Sequence, residues 1–290
     1  MLRRWSNQFE LNTDYWKRLS AIIVVGGATI FLLLTLHPDL IFRNNTPTGG
    51  DMGAHVWGPA FLRDHLLNHF RLAGWSMDWY AGLPVYRYYM VVPALFIVAL
   101  NIVLPYGIAI KIAAVIGILT LPFCAWLFGR FARFAYPIPE MLAIAATIFL
   151  YDESFTIYGG NIASTMAGEF SFSISLSLSI LGFALVARGL ETGKYLAAGS
   201  IVVALSALSH GIVLLFVFGG VALMMLFWIQ PKLNGMRDNT SVVFGVKIIG
   251  LAILLSAFWV IPFVTSHAYM TDMKYEPRPS GSSDSFWKLY

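Results

Sequence analysis

The sequence predicts an all-α, polytopic transmembrane helical bundle with about seven crossings and membrane-parallel helices in its first outer loop. Three observations predict it. Of 290 residues, 58% are hydrophobic and only 12% charged, giving a mean hydropathy of +0.71; a soluble core does not need so little charge. Apolar runs recur at roughly 19–36, 88–104, 108–128, 140–157, 169–187, 195–209, 211–229 and 242–264, many of them near spanning length. The short loops between them carry basic residues, as cytoplasmic loops do.

The first run follows Arg3, Arg4, Lys17 and Arg18 and ends in Leu36-His37-Pro38-Asp39, without small residues suited to cleavage. It reads as an uncleaved signal anchor with a cytoplasmic N-terminal segment, 1–18. Arg130 and Arg133 follow the third run, Arg188 and Lys194 the fifth, and Lys232 and Arg237 the seventh. All reach the cytoplasm only if one of the first three runs does not cross. The weakest spanner is 88–104, interrupted by Pro93 and closed by Pro105-Tyr106-Gly107. It is expected to lie in or dip into the outer leaflet. Run 195–229 would be about 52 Å long as one helix, against a core of about 30 Å. It must be a hairpin turning at Ser209-His210-Gly211, on the outer side. Eleven of the nineteen basic residues then lie inside, and ten of the fifteen acidic residues outside.

The first outer loop, 37–107, opens with Thr48-Gly49-Gly50-Asp51-Met52-Gly53-Ala54-His55. Val56, Ala60, Leu62, Leu66, Leu67 and Phe70 follow at helical spacing, so an amphipathic helix is expected along the membrane, with Asp51 at its start. Next come Trp75, Asp78, Trp79, Tyr80, Tyr86, Arg87, Tyr88 and Tyr89. These aromatics fit an interfacial belt, or sugar rings stacking on Trp75 and Trp79. The second outer loop, 152–168, starts with Asp152 and Glu153, close to membrane depth, where ionisable residues point to function. Beyond Glu169, serines alternate from Ser171 to Ser179. A strand cannot cross lipid with unpaired backbone, so a helix is expected, its Ser171, Ser175 and Ser179 face allowing close contact.

Asp51, one turn before His55, is the candidate base or helix cap. Asp152 and Glu153 are candidate acceptor- or cation-binding groups, with Asp51 and Asp152 as the possible ligands of Mg²⁺, Mn²⁺ or Ca²⁺. His210 at the outer turn, Arg87 and Lys111 are candidates for a donor phosphate; the two basic residues could equally be snorkelling anchors. Asn161 reads as a turn or cap residue. Cys124 is alone in an apolar run, so no disulfide forms within the chain. Scattered basic residues argue against nucleic acid as a partner despite a pI of 9.1. No phosphate-cradling glycine loop, Cys/His metal cluster or Ser/His/Asp set appears in the sequence.

The strings Gly50-Asp51-Met52-Gly53-Ala54-His55, Asp78-Trp79-Tyr80-Ala81-Gly82 and Tyr158-Gly159-Gly160-Asn161-Ile162-Ala163-Ser164-Thr165 resemble a bacterial integral-membrane family labelled "6-pyruvoyl-tetrahydropterin synthase-related". Nothing resembles the soluble zinc-binding pterin enzyme. The long first loop opening with an aspartate and the acidic second loop resemble the GT-C superfamily of membrane glycosyltransferases, over residues 19–264. That resemblance implies inverting transfer of a sugar from a polyprenyl-phosphate donor to an envelope glycan or glycolipid, on the outer face of the plasma membrane. It matches Asp51 to the first-loop acid that serves as base or positions the acceptor. Asp152 and Glu153 match the second-loop acidic position. Superfamily members usually continue into further helices and a soluble domain, so the outer segment 265–290 reads as the end of a truncated or minimal module. The rival readings are a lipid-linked glycan transporter or flippase, which would favour polar mid-membrane groups in broken helices and internal repeats, and a non-catalytic assembly subunit.

Overall fold

A computed structural model describes residues 14–154, 159–228 and 240–270. Residues 1–13 of the segment expected to be cytoplasmic, the loop basic residues Lys232 and Arg237, residues 155–158 of the second loop and the tail from 271 lie outside the described residues. The chain forms an apolar helical membrane bundle. Among the described residues, four helices are long and apolar enough to cross a bilayer: α1 (Asp14–Thr35), α4 (Tyr106–Phe131), the helical stretch Ile162–Thr192 that contains α6 (Phe170–Thr192), and α9 (Thr240–Thr265). Four more apolar helices are shorter: α3 (Val92–Asn101), α5 (Ile138–Phe149), α7 (Leu196–Ala207) and α8 (Gly211–Trp228). At 1.5 Å per residue, the 10 residues of α3 reach only about 15 Å, half of a bilayer core.

Long-range contacts fix two ends of the bundle. At one, Arg133 and Arg188 both reach Glu191 at 2.9 Å, Phe131 meets Tyr195, and Ser241 donates to the carbonyl of Leu190. At the other, the Tyr151 hydroxyl meets Thr35, Val92 N–H donates to Leu208, and Arg87 donates to Ser266. Following the chain, α4 runs from the second end to the first, α5 returns, and α6 to α9 alternate likewise. Helix α3 begins against Leu208 and ends where Asn101 accepts from Arg63 at 2.6 Å, so it starts and finishes at the same end.

Helix α6 is the central post, packed most extensively on α4, then α7. The face of Ser171, Ser175 and Ser179 meets a neighbouring helix closely, and a second serine face is buried as well. Ser171, Ser173, Ser175, Ser177 and Ser179 are all buried, because neighbours cover α6 on several sides. Ser177 donates to the carbonyl of Gly117 on α4 at 2.7 Å, and Ser179 and Ser206 of α7 share a hydrogen bond of 2.7 Å. A Cβ on Gly117 would strike the backbone of Ser173 and Ile174, so α4 and α6 cross at a distance only small residues permit.

The expected amphipathic helix is present as α2 (Met52–Phe61), continuing through a wide turn at Leu62–Leu66. Leu62, Leu66, Val85, Tyr86, Val91 and Ala94 form a small core that packs the loop on itself. The aromatic segment beyond α2 was not foreseen as sheet, yet β1 (Gly74–Ser76) pairs antiparallel with β2 (Leu83–Val85). The ribbon closes the loop over α2. Asn161 is a cap, as expected: its side chain accepts from Ser164 N–H at 2.7 Å.

Candidate functional site

The first long loop, 37–107, meets the start of α6 through backbone. Asp51 N–H donates to the Ala167 carbonyl at 2.8 Å. Gly50 (φ +50°) lies so close to that carbonyl that a Cβ would overlap it, and Gly168 (φ +131°) faces the Cβ of Asp51. Both glycines supply left-handed backbone and room for close approach. The kink at Gly168 breaks the helical stretch one residue before Glu169 and so delivers that carboxylate to the loop.

Between them lies a cavity of about 380 Å³, lined by Asp51, His55, Trp57, Trp79, Tyr86, Tyr88, Tyr89, Glu169 and Phe170 among others. Asp51 is exposed at its edge, and its carboxylate makes no hydrogen bond or ion pair among the described residues. His55 is half-buried, its ring 4.9 Å from Phe170 and 5.8 Å from Tyr89. Burial lowers its pKa below the ordinary histidine value, opposed by the charges of Glu169 and Asp51, so the neutral ring is favoured. Trp57 and Trp79 stack at 5.6 Å, and Trp57 donates to Asp78 at 3.2 Å, which fixes the aromatic wall.

The structure therefore brings Asp51, His55 and Trp79 together and adds Glu169. Glu169 was legible as an outer acid, but its place in the site depends on the Gly168 kink. His210 is not presented to the cavity. It is buried at the α7–α8 turn, its Nε2 3.7 Å from a Glu169 oxygen, while its Nδ1 has no partner among the described residues. Arg87 spends Nε and Nη2 on Ser266, at 3.1 and 2.7 Å, and borders a neighbouring groove with Trp259 and Pro262. Lys111 is a structural clamp: its ammonium donates to the carbonyls of Leu40 and Arg43 and to Asn45.

Asp152 stands at the same end of the bundle but does not line the cavity. Its carboxylate accepts from Ser154 N–H at 2.9 Å, which holds its pKa below the usual carboxylate value. Glu153 is exposed beside it. Trp75 lies on the outer side of the ribbon, 63% exposed, donating to the sulfur of Met77. Among the described residues no group of three or more His, Cys, Asp or Glu side chains is placed to hold a metal ion.

Compared with family models, curated proteins and solved structures, the chain finds no match.

Proposed function

We propose that the chain is an integral-membrane, GT-C-like glycosyltransferase that moves a sugar from a polyprenyl-phosphate donor to an envelope glycan or glycolipid. In this reading the N-terminus is cytoplasmic, seven helices cross the plasma membrane, and the cavity opens on the extracytoplasmic face. The observation that supports it most is the meeting of Asp51 and Glu169, from two separate loops, in an aromatic-walled cavity at one end of the bundle.

The Asp51 carboxylate accepts the proton of an acceptor hydroxyl. That oxygen forms the new bond to the anomeric carbon while the bond from carbon to phosphate oxygen breaks, and the polyprenyl phosphate leaves. Neutral His55, one turn along α2, orients the acceptor or the carboxylate. Glu169 fixes the opposite side of the cavity and is itself held by His210. The aromatic wall at Trp57 and Trp79 offers a flat face to a pyranose. The departing phosphate leaves towards the neighbouring groove that Arg87 borders, where Arg87 would have to release Ser266 to meet it. No step requires a divalent ion.

General-base removal costs on the order of 10²–10⁴ in rate. Asp51→Asn in proteoliposomes supplied with labelled polyprenyl-phosphate sugar is expected to lower transfer by that factor while the protein remains folded. Transfer at the unsubstituted rate would refute the assignment.

A further inference from the structure

The walls of the cavity carry two carboxylates and no lysine or arginine. Among the described residues, three basic side chains around the first loop are engaged elsewhere. Arg63 is bidentate on Asp64 at 2.7 Å and also donates to Asn101. Arg87 faces Ser266, and Lys111 clamps the segment around Leu40 and Arg43. His210 pairs with Glu169, and among the described residues no lysine or arginine pairs with Asp51. The remaining wall is aromatic, with the stacked Trp57 and Trp79 beside Tyr86, Tyr88 and Tyr89. Ring faces carry negative potential and attract cations, ammonium groups among them. A free carboxylate beside such rings favours a positively charged substituent on the guest over a neutral one.

We infer that the group entering this cavity carries a primary ammonium, held between the Asp51 carboxylate and the Trp57–Trp79 wall. Two sources share that chemistry: an amino sugar and an aminoalkyl lipid headgroup. The inference goes beyond sugar transfer and does not depend on it, because binding needs neither donor nor turnover. Neutral His55 is consistent with it, since a protonated ring there would compete for the same carboxylate.

The test is ligand-observed saturation-transfer NMR on the purified full chain in detergent, with glucosamine, glucose, N-acetylglucosamine and ethanolamine as probes. Glucosamine is expected to bind at least tenfold more tightly than glucose or N-acetylglucosamine, which present the same ring without the charge. Competition by ethanolamine at similar strength would identify the headgroup as the source; failure to compete would identify the amino sugar. Asp51→Asn is expected to weaken glucosamine binding about tenfold. Equal binding of glucose and glucosamine, or no saturable binding of any amine, would overturn the inference. The unsubstituted protein alone decides this if the variant does not fold. A loss of amine preference with transfer intact would sink only this inference, and the reverse result only the transferase reading.

Discussion

His55 shows how one side chain can be read at the site. Its folded pKa is depressed chiefly by burial, so the unfolded chain binds more protons as pH falls below about 6.5, the ordinary histidine value. Stability tied to this group is therefore present above that pH and is lost as pH drops through the folded pKa. Thermal melts from pH 8 to pH 5 should show a larger loss for the unsubstituted protein than for His55→Gln. Equal losses would remove His55 as the cause. At the same scale, Gly50→Ala must place a Cβ against the Ala167 carbonyl at a left-handed φ. Such strain costs on the order of 1–3 kcal/mol, and melting should detect it together with reduced transfer. An unchanged melting temperature and rate would show that the loop does not dock as described. Asp51 and His55 were legible from sequence because glycines and a helix start surround them. The pairing of Glu169 with His210 was not, since it joins residues 41 positions apart through a kink that only Gly168 makes possible.

Elements behave according to what covers them. Helix α6 reads as an ordinary serine-striped helix, yet all five alternating serines are buried, because α4 and α7 both press against it. Periodicity reports faces and not the number of neighbours, so the second buried face was invisible in the sequence. The shared hydrogen bonds of Ser175, Ser179 and Ser206 are each worth roughly 0.6–1.7 kcal/mol in a membrane. Ser206→Ala should lower stability by about 1–2 kcal/mol, measured by denaturant titration in mixed micelles, with no change in the pH dependence of transfer. A neutral substitution would mean that α6 and α7 are held by packing alone. The β1–β2 ribbon escaped the sequence reading because its strands are three residues each, too short to show alternation. By contrast the breaks around α3 were legible: Pro93 and the Pro105 turn bound a helix of 10 residues.

At the scale of the whole molecule, α3 starts and finishes at one end of the bundle, so both acidic loops share that end and the arginine loops share the other. Charge placement already implied this, and the contacts of Glu191 with Arg133 and Arg188 and of Asp51 with Ala167 agree with it. The basic loops assign the arginine end to the cytoplasm in the proposed reading. Single cysteines at Ala54, Asp152 and Arg133, in a Cys124→Ala background, can be challenged in intact cells with a membrane-impermeant maleimide. Ala54→Cys and Asp152→Cys are predicted to react together, and Arg133→Cys only after permeabilisation. Labelling of positions 54 and 152 from opposite sides would contradict the account.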